Sequence, residues 1–158
     1  TCMAIKLTPA QIRFFLNASI TTPDGEPQPT LLVKLLAYRL PADFRYRLEV
    51  LTRQLISAMK PIETEVKDLY EARQATLAGI EADDEESKAA ATTEAEAKLR
   101  ADLDDIDKRP IDFTGHLILA TQLEKLSDEV AEFLSIPGVL GEWLFPFIED
   151  NLTPAKKV

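Results

Sequence analysis

Residues 41–80 read PADFRYRLEVLTRQLISAMKPIETEVKDLYEARQATLAGI. From Phe44, large apolar residues recur at Leu48, Leu51, Leu55, Met59, Ile62, Val66, Leu69 and Ile80, in steps of three and four wherever the run is dense. That spacing is the seam of one long amphipathic helix, because positions three and four apart fall on one face of a helix. Pro41 suits its first turn, where no backbone N–H is needed, and Leu40 before it is pushed out of helical geometry. Pro61 deletes one hydrogen bond, yet the apolar rhythm runs on through Ile62 and Val66, which predicts a kink and not a stop. At ~1.5 Å per residue, about 39 residues make a rod roughly 60 Å long.

From Glu81 the chain reads Glu-Ala-Asp-Asp-Glu-Glu-Ser-Lys, then runs through Ala89 to Thr93 almost without large apolar groups. This is the expected tip of a hairpin. Leu99, Leu103 and Ile106 restore the helical spacing, so residues 89–107 are predicted to return antiparallel along the distal half of the long helix. The hairpin, about 62–107, would project from a body made of 3–61 and 108–150.

The flanks supply that body. Ile5 and Leu7 enclose Lys6, a short strand pattern, and Ile111 and Phe113 enclose Asp112 in the same way. Each segment ends in a threonine before a predicted helix, so the two are natural partners in a two-stranded sheet. Thr8-Pro9-Ala10-Gln11 is a helix start with a capping box, and that helix is expected to reach Ala18. The run over 21–29, with Asp24-Gly25 and three prolines, is turn chemistry. Thr30 caps a second helix over Leu31–Arg39. A helix from His116 to Leu134 is expected, with Leu119, Leu123, Leu126, Val130 and Phe133 along one side. Pro137 and Gly138 end it, Val139–Ile148 covers the core, and the tail after Asn151 is expected to be mobile. The fold class is therefore mainly α: a long, coiled-coil-like antiparallel helical hairpin on a small helical body with a short two-stranded β-sheet. A single domain spans 3–158, and Thr1 and Cys2 read as a cloning remnant ahead of Met3.

Composition bounds the function classes. The 158 residues are 46% hydrophobic and 28% charged, ordinary for one globular domain, with a formal net charge of −9. From Glu81 to Asp107, eleven acidic residues face three basic ones. This balance argues against nucleic acid as a partner, since phosphate binding needs an excess of Lys and Arg. The single cysteine, Cys2, allows no disulfide framework or thiolate metal site. No apolar run approaches the ~18 residues of a membrane span. A cytoplasmic protein with no membrane partner is expected.

No motif carries catalysis. Asp83-Asp84-Glu85-Glu86 lacks the glycine turn and ligand spacing of a calcium loop, and the only histidine, His116, lies in no Glu-x-x-His or triad pattern. The five glycines match no phosphate loop. Neither a metal nor a cofactor is expected, and the chain reads as a non-enzyme. The candidate partner-binding residues are Arg39, Arg45 and Arg47, a basic stretch otherwise explained as a solvated helix face. The acidic tip Asp83, Asp84, Glu85 and Glu86 is a second candidate, and Trp143 and Phe145 are a third, otherwise explained as core.

Ala4-Ile5-Lys6-Leu7, Leu40-Pro41-Ala42-Asp43-Phe44-Arg45 leading through Pro61-Ile62-Glu63, and Pro110-Ile111-Asp112-Phe113 together resemble a family of small tailed-bacteriophage proteins of unknown function, the DUF1617 family. The resemblance implies phage origin, transfers no catalytic residue, and places the protein in the host cytoplasm. The expected function is a non-catalytic protein-binding or assembly factor that acts through the hairpin, with self-association into a homo-oligomer as one form of it. The alternative is an inhibitor of a host protein whose acidic residues 81–107 imitate nucleic acid or block a groove.

Overall fold

The computed structural model describes residues 3–19, 25, 28–81 and 84–148. Tip residues Ala82 and Asp83, the tail, and most of the proline-rich run lie outside them. The chain is mainly helical with one two-stranded antiparallel sheet. In order it forms β1 (Met3–Leu7), α1 (Pro9–Asn17), α2 (Leu31–Ala37), α3 (Ala42–Ala78), α4 (Glu85–Asp107), β2 (Ile111–Gly115), α5 (Ala120–Leu123) and α6 (Asp128–Leu134). A π-helical turn over Val139–Leu144 and a 3₁₀ turn over Phe145–Phe147 follow.

Local chemistry starts these elements where the sequence places them. The Thr8 hydroxyl accepts from Gln11 N–H at 3.2 Å, and Thr8 N–H donates to the Gln11 side chain at 2.9 Å, a complete capping box for α1. Thr30 caps α2 by accepting from Val33 N–H at 3.2 Å. Asp84 caps α4 from Ser87 N–H at 2.6 Å, and that bond, with one from the Ser87 side chain, holds the Asp84 carboxyl below its ordinary pKa. β1 and β2 pair with Ile5 opposite Phe113 and Lys6 opposite Asp112. Ile5, Leu7 and Phe113 are buried, so the charged pair stays outside.

The long helix is continuous through Pro61. Pro61 and Ser57, whose carbonyl loses its donor, are both exposed, so water can replace the missing bond. Along α3, Phe44, Leu48, Leu51, Leu55, Met59 and Ile62 are buried, which at ~1.5–3 kcal/mol per side chain makes this seam the largest single apolar contribution. Val66 and Leu69 are half-buried against the same core. Beyond them α3 has no fully buried side chain, and α4 contributes Leu99 and Ile106.

The far side of the core is aromatic. Trp143 stacks on Phe15 with ring centroids 4.9 Å apart and planes within 11°, and Phe147 meets Phe15 at 4.6 Å. Because α1 ends at Asn17, the Phe15 carbonyl lacks a helical donor, and the buried Trp143 indole N–H fills that place at 2.8 Å.

One expectation is overturned: residues 116–134 are not one helix. Leu117 and Ile118 are consecutive and both fully buried, as extended chain allows, and Ile118 N–H donates to the Phe147 carbonyl at 2.9 Å. Ser127 then restarts the helix as an N-cap, accepting from Val130 N–H at 3.4 Å, with Asp128 and Glu129 in the first turn. The spacing of Leu119, Leu123 and Leu126 mimics a helix face but reports three half-buried positions, of which only Leu123 lies in a helix, the single turn α5.

Candidate functional site

α3 and α4 pack side by side. Arg73 bonds both carboxylate oxygens of Glu96, at 3.0 and 3.2 Å, and Arg109 grips Glu65 in a fork at 2.7 and 2.9 Å. Numbers rise on one element as they fall on the other, so the chain runs antiparallel here. The Arg109 hydrogen bonds and charge hold Glu65 below its ordinary pKa and raise Arg109 in turn. Nearer the body, Arg13 of α1 pairs with Asp107 at the end of α4.

On one side of this pair lies an open cavity of about 380 Å³ between the helices. Leu69, Ala72 and Thr76 of α3, Ile80 just past its end, and Ala91, Ala95 and Leu99 of α4 line it, with Glu94, Lys98 and Asp102 along the α4 rim. Each set repeats at three or four residues, one face of each helix. A second cavity of about 350 Å³ on the other side is edged by Tyr70, Arg100, Leu103, Asp104 and Asp107. Arg73 and Leu99 line both and form the wall between them. Arg73 sits 5.5 Å from the Tyr70 ring centre, and its Nε is buried without a hydrogen-bond partner. The polar pair Arg73–Glu96 thus occupies a position where an apolar layer would otherwise join the helices.

A separate exposed apolar region lies on the body. Two clefts of about 340 and 240 Å³ share Phe14 and Glu142, the first also edged by Ile136 and the second by Pro146. Phe14 and Ile136 are exposed there.

The residues singled out in the sequence do not gather into one site. Arg45 Nη2 donates to the carbonyls of Leu36 and Tyr38 at 2.6 and 3.1 Å, closing the end of α2, and Arg47 Nη1 donates to the Leu117 carbonyl at 2.8 Å. Both are spent inside the body. Arg39 is exposed. Trp143 is completely buried and offers no surface, whereas Phe145 is exposed. Glu85 and Glu86 are exposed in the first turn of α4, Asp84 is its cap, and Asp83 lies outside the described residues.

Three residues passed over in the sequence organise the base. Gln54 accepts from His116 N–H at 2.9 Å and lies 3.4 Å from His116 Nδ1, tying β2 to α3. Gly115 leaves room for this contact, since a Cβ there would sit 2.5 Å from the Phe113 ring and 2.7 Å from Gln54 Oε1. Buried Gln122 accepts from Leu119 N–H at 3.1 Å and bonds Asp43, which with the Phe44 N–H holds the Asp43 carboxyl below its ordinary pKa. Periodicity carries no signal for contacts 62 residues apart such as Gln54–His116.

Among the described residues no group of three or more His, Cys, Asp or Glu side chains could hold a metal ion. No single described helix is long and apolar enough to cross a membrane. Asp128–Leu134 and Val139–Phe147 reach that composition only as a pair bent by 80°, and their large apolar groups Val130, Phe133, Trp143 and Phe147 are buried in the body. Comparison with family models, with curated proteins and with solved structures returned no match to this chain.

Proposed function

We propose that the chain is a non-catalytic protein-binding or assembly factor, and that α3 and α4 form a coiled-coil-like hairpin whose open groove is the working surface. One observation supports this above the others: the groove between Leu69–Ile80 and Ala91–Asp102 is an apolar channel with a charged rim. Two helices alone bury little surface, and a further helix lying in the channel would complete a bundle by the packing that joins helices in bundles generally. The body clefts around Phe14 lack such a continuous helical face. The reading draws on the groove and not on the likeness to phage proteins, whose implied origin and host-cell location remain proposals.

The alternative of nucleic-acid mimicry finds little support. At ~100° per residue, Glu85, Glu86, Glu94, Asp102 and Asp105 fall on several sides of α4. Glu96, Asp104 and Asp107 are taken up in ion pairs with Arg73, Lys108 and Arg13.

An environment-sensitive dye on Ala95→Cys, with Cys2→Ser removing the other thiol, tests the reading beside the same dye on Ala97→Cys. Ala95 lines the groove and exposed Ala97 does not. Titration with amphipathic helical peptides is expected to move the emission at 95 alone. Equal responses at both sites, or none, would refute the groove as the working surface.

A further inference from the structure

We infer that the groove takes a cationic amphipathic helix of another protein, and not the same face of a second copy. The inference rests on the protein-binding reading above and adds the chemistry of the partner.

Shape selects a helix. From Leu69 to Ile80 the channel spans about three helical turns, roughly 16 Å. Its lining is small at Ala72, Ala91 and Ala95 and larger at Leu69, Leu99 and Ile80. Small side chains let a third backbone approach closely, and the larger ones supply holes for its apolar knobs.

Charge selects the partner. Residues 62–107 hold fifteen acidic and five basic residues, a balance of −10, while the whole chain stands at −9. The body is therefore close to neutral and the net charge lies on this segment, reduced where Glu65, Asp104 and Asp107 pair with Arg109, Lys108 and Arg13 outside it. At the rim, Glu94 and Asp102 take no part in any ion pair among the described residues, and Glu85 and Glu86 stand exposed at the distal end. A second copy laid face to face would bring two segments of like net charge together, with their Glu94 and Asp102 rims within the ~8–10 Å screening length of physiological salt. A helix flanked by Lys and Arg meets the same rim with attraction, and Lys98 favours one acidic residue opposite it.

The two occupants differ in the sign of their salt dependence. Attraction to a cationic helix weakens as salt rises, whereas self-association of like-charged faces strengthens. A displayed library of helical peptides about 18 residues long, with a Leu/Ala seam and flanks drawn from Lys, Arg, Glu and Gln, reads the preference directly. It is selected on the wild-type protein, on A95E and on A97E, each first shown to keep its helical circular dichroism. A95E blocks the groove while adding a carboxylate, so general attraction to an acidic protein survives it and groove binding does not. A97E adds the same charge outside the groove.

The expected winners bind wild type and A97E alike, lose at least about tenfold in affinity on A95E, carry net positive flanks, and weaken between about 50 and about 500 mM NaCl. Groove-dependent winners with neutral or acidic flanks would overturn the cationic partner and leave the binding groove standing. A dimer in light scattering that tightens with salt and is broken by A95E would overturn it in favour of a second copy. Absence of any A95E-sensitive binder or dimer would overturn both the inference and the reading beneath it.

Discussion

Trp143→Phe isolates the contact that closes the aromatic side of the core. Phenylalanine keeps a ring against Phe15 but removes the indole N–H that donates to the Phe15 carbonyl at 2.8 Å. That carbonyl is at the end of α1, and Ser19, its would-be helical donor, has already left the helix to bridge Thr30. A buried carbonyl left unpaired costs about 1–3 kcal/mol. The smaller ring also gives up about 40 Å² of buried apolar surface, worth ~1 kcal/mol at ~25 cal/mol per Å². The sum is ~2–4 kcal/mol, a large fraction of the ~5–15 kcal/mol that holds a typical domain. In a domain of this size it corresponds to a fall in Tm of roughly 5–12 °C. Because Trp143 is the sole tryptophan, urea unfolding of both proteins is followed by circular dichroism at a helical wavelength. Phe145→Leu, two residues on and exposed, serves as the control and is expected to stay within about 0.5 kcal/mol of wild type. A loss under about 1 kcal/mol for Trp143→Phe, or an equal loss for the control, would refute the argument that the indole satisfies an otherwise stranded carbonyl.

Gly115→Ala is expected to destabilise by about 1–3 kcal/mol in urea unfolding, because the new methyl meets both the Phe113 ring and the Gln54 amide. Arg45→Ala should cost about 1–2 kcal/mol through the two carbonyls it leaves at the end of α2, whereas Arg39→Ala should be near neutral. Glu65 gives a pH test. Arg109 lowers its folded pKa from the ordinary 4.5, so its stabilisation is complete above that value and is lost as pH falls through the folded one. The Tm difference between wild type and Glu65→Gln should therefore shrink on acidification and vanish at the acid end. A difference that persists unchanged there would show that the pairing is not electrostatic.

Much of the fold follows from chemistry that acts within a few residues. Thr8 with Gln11, Thr30 and the Phe44-to-Leu69 seam each announce their element through neighbours three or four positions away, and the structure places a cap or a buried face at each. The matching patterns around Lys6 and Asp112 made their pairing legible as well. What failed to show was decided at long range. Leu119, Leu123 and Leu126 carry helical spacing, but the bond from Ile118 to Phe147 keeps the entry extended and Ser127 offers a better start. Arg45 and Arg47 read as solvated because nothing local reveals the carbonyls of Leu36 and Leu117 that accept their protons. The helical spacing that brings Leu69, Ile80 and Leu99 to the groove was legible. Its polar partition, Arg73 with Glu96, depends on the register of two helices 23 residues apart at that point.

The pairing of β1 with β2 joins Leu7 to Ile111 and Met3 to Gly115, more than a hundred residues apart in the chain. Closing a loop of that length lowers chain entropy with little local contact to offset it until both strands are present. The helices inside the loop form from near neighbours, and α4 follows α3 directly in the element order, so they can zip on microsecond timescales while the sheet waits. During synthesis, Ile5, Leu7, Ile12 and Phe15 emerge first but receive Phe113, Trp143 and Phe147 last. The N-terminal strand and helix are therefore the final pieces to lock, and slow steps in refolding should register there before they register in α3.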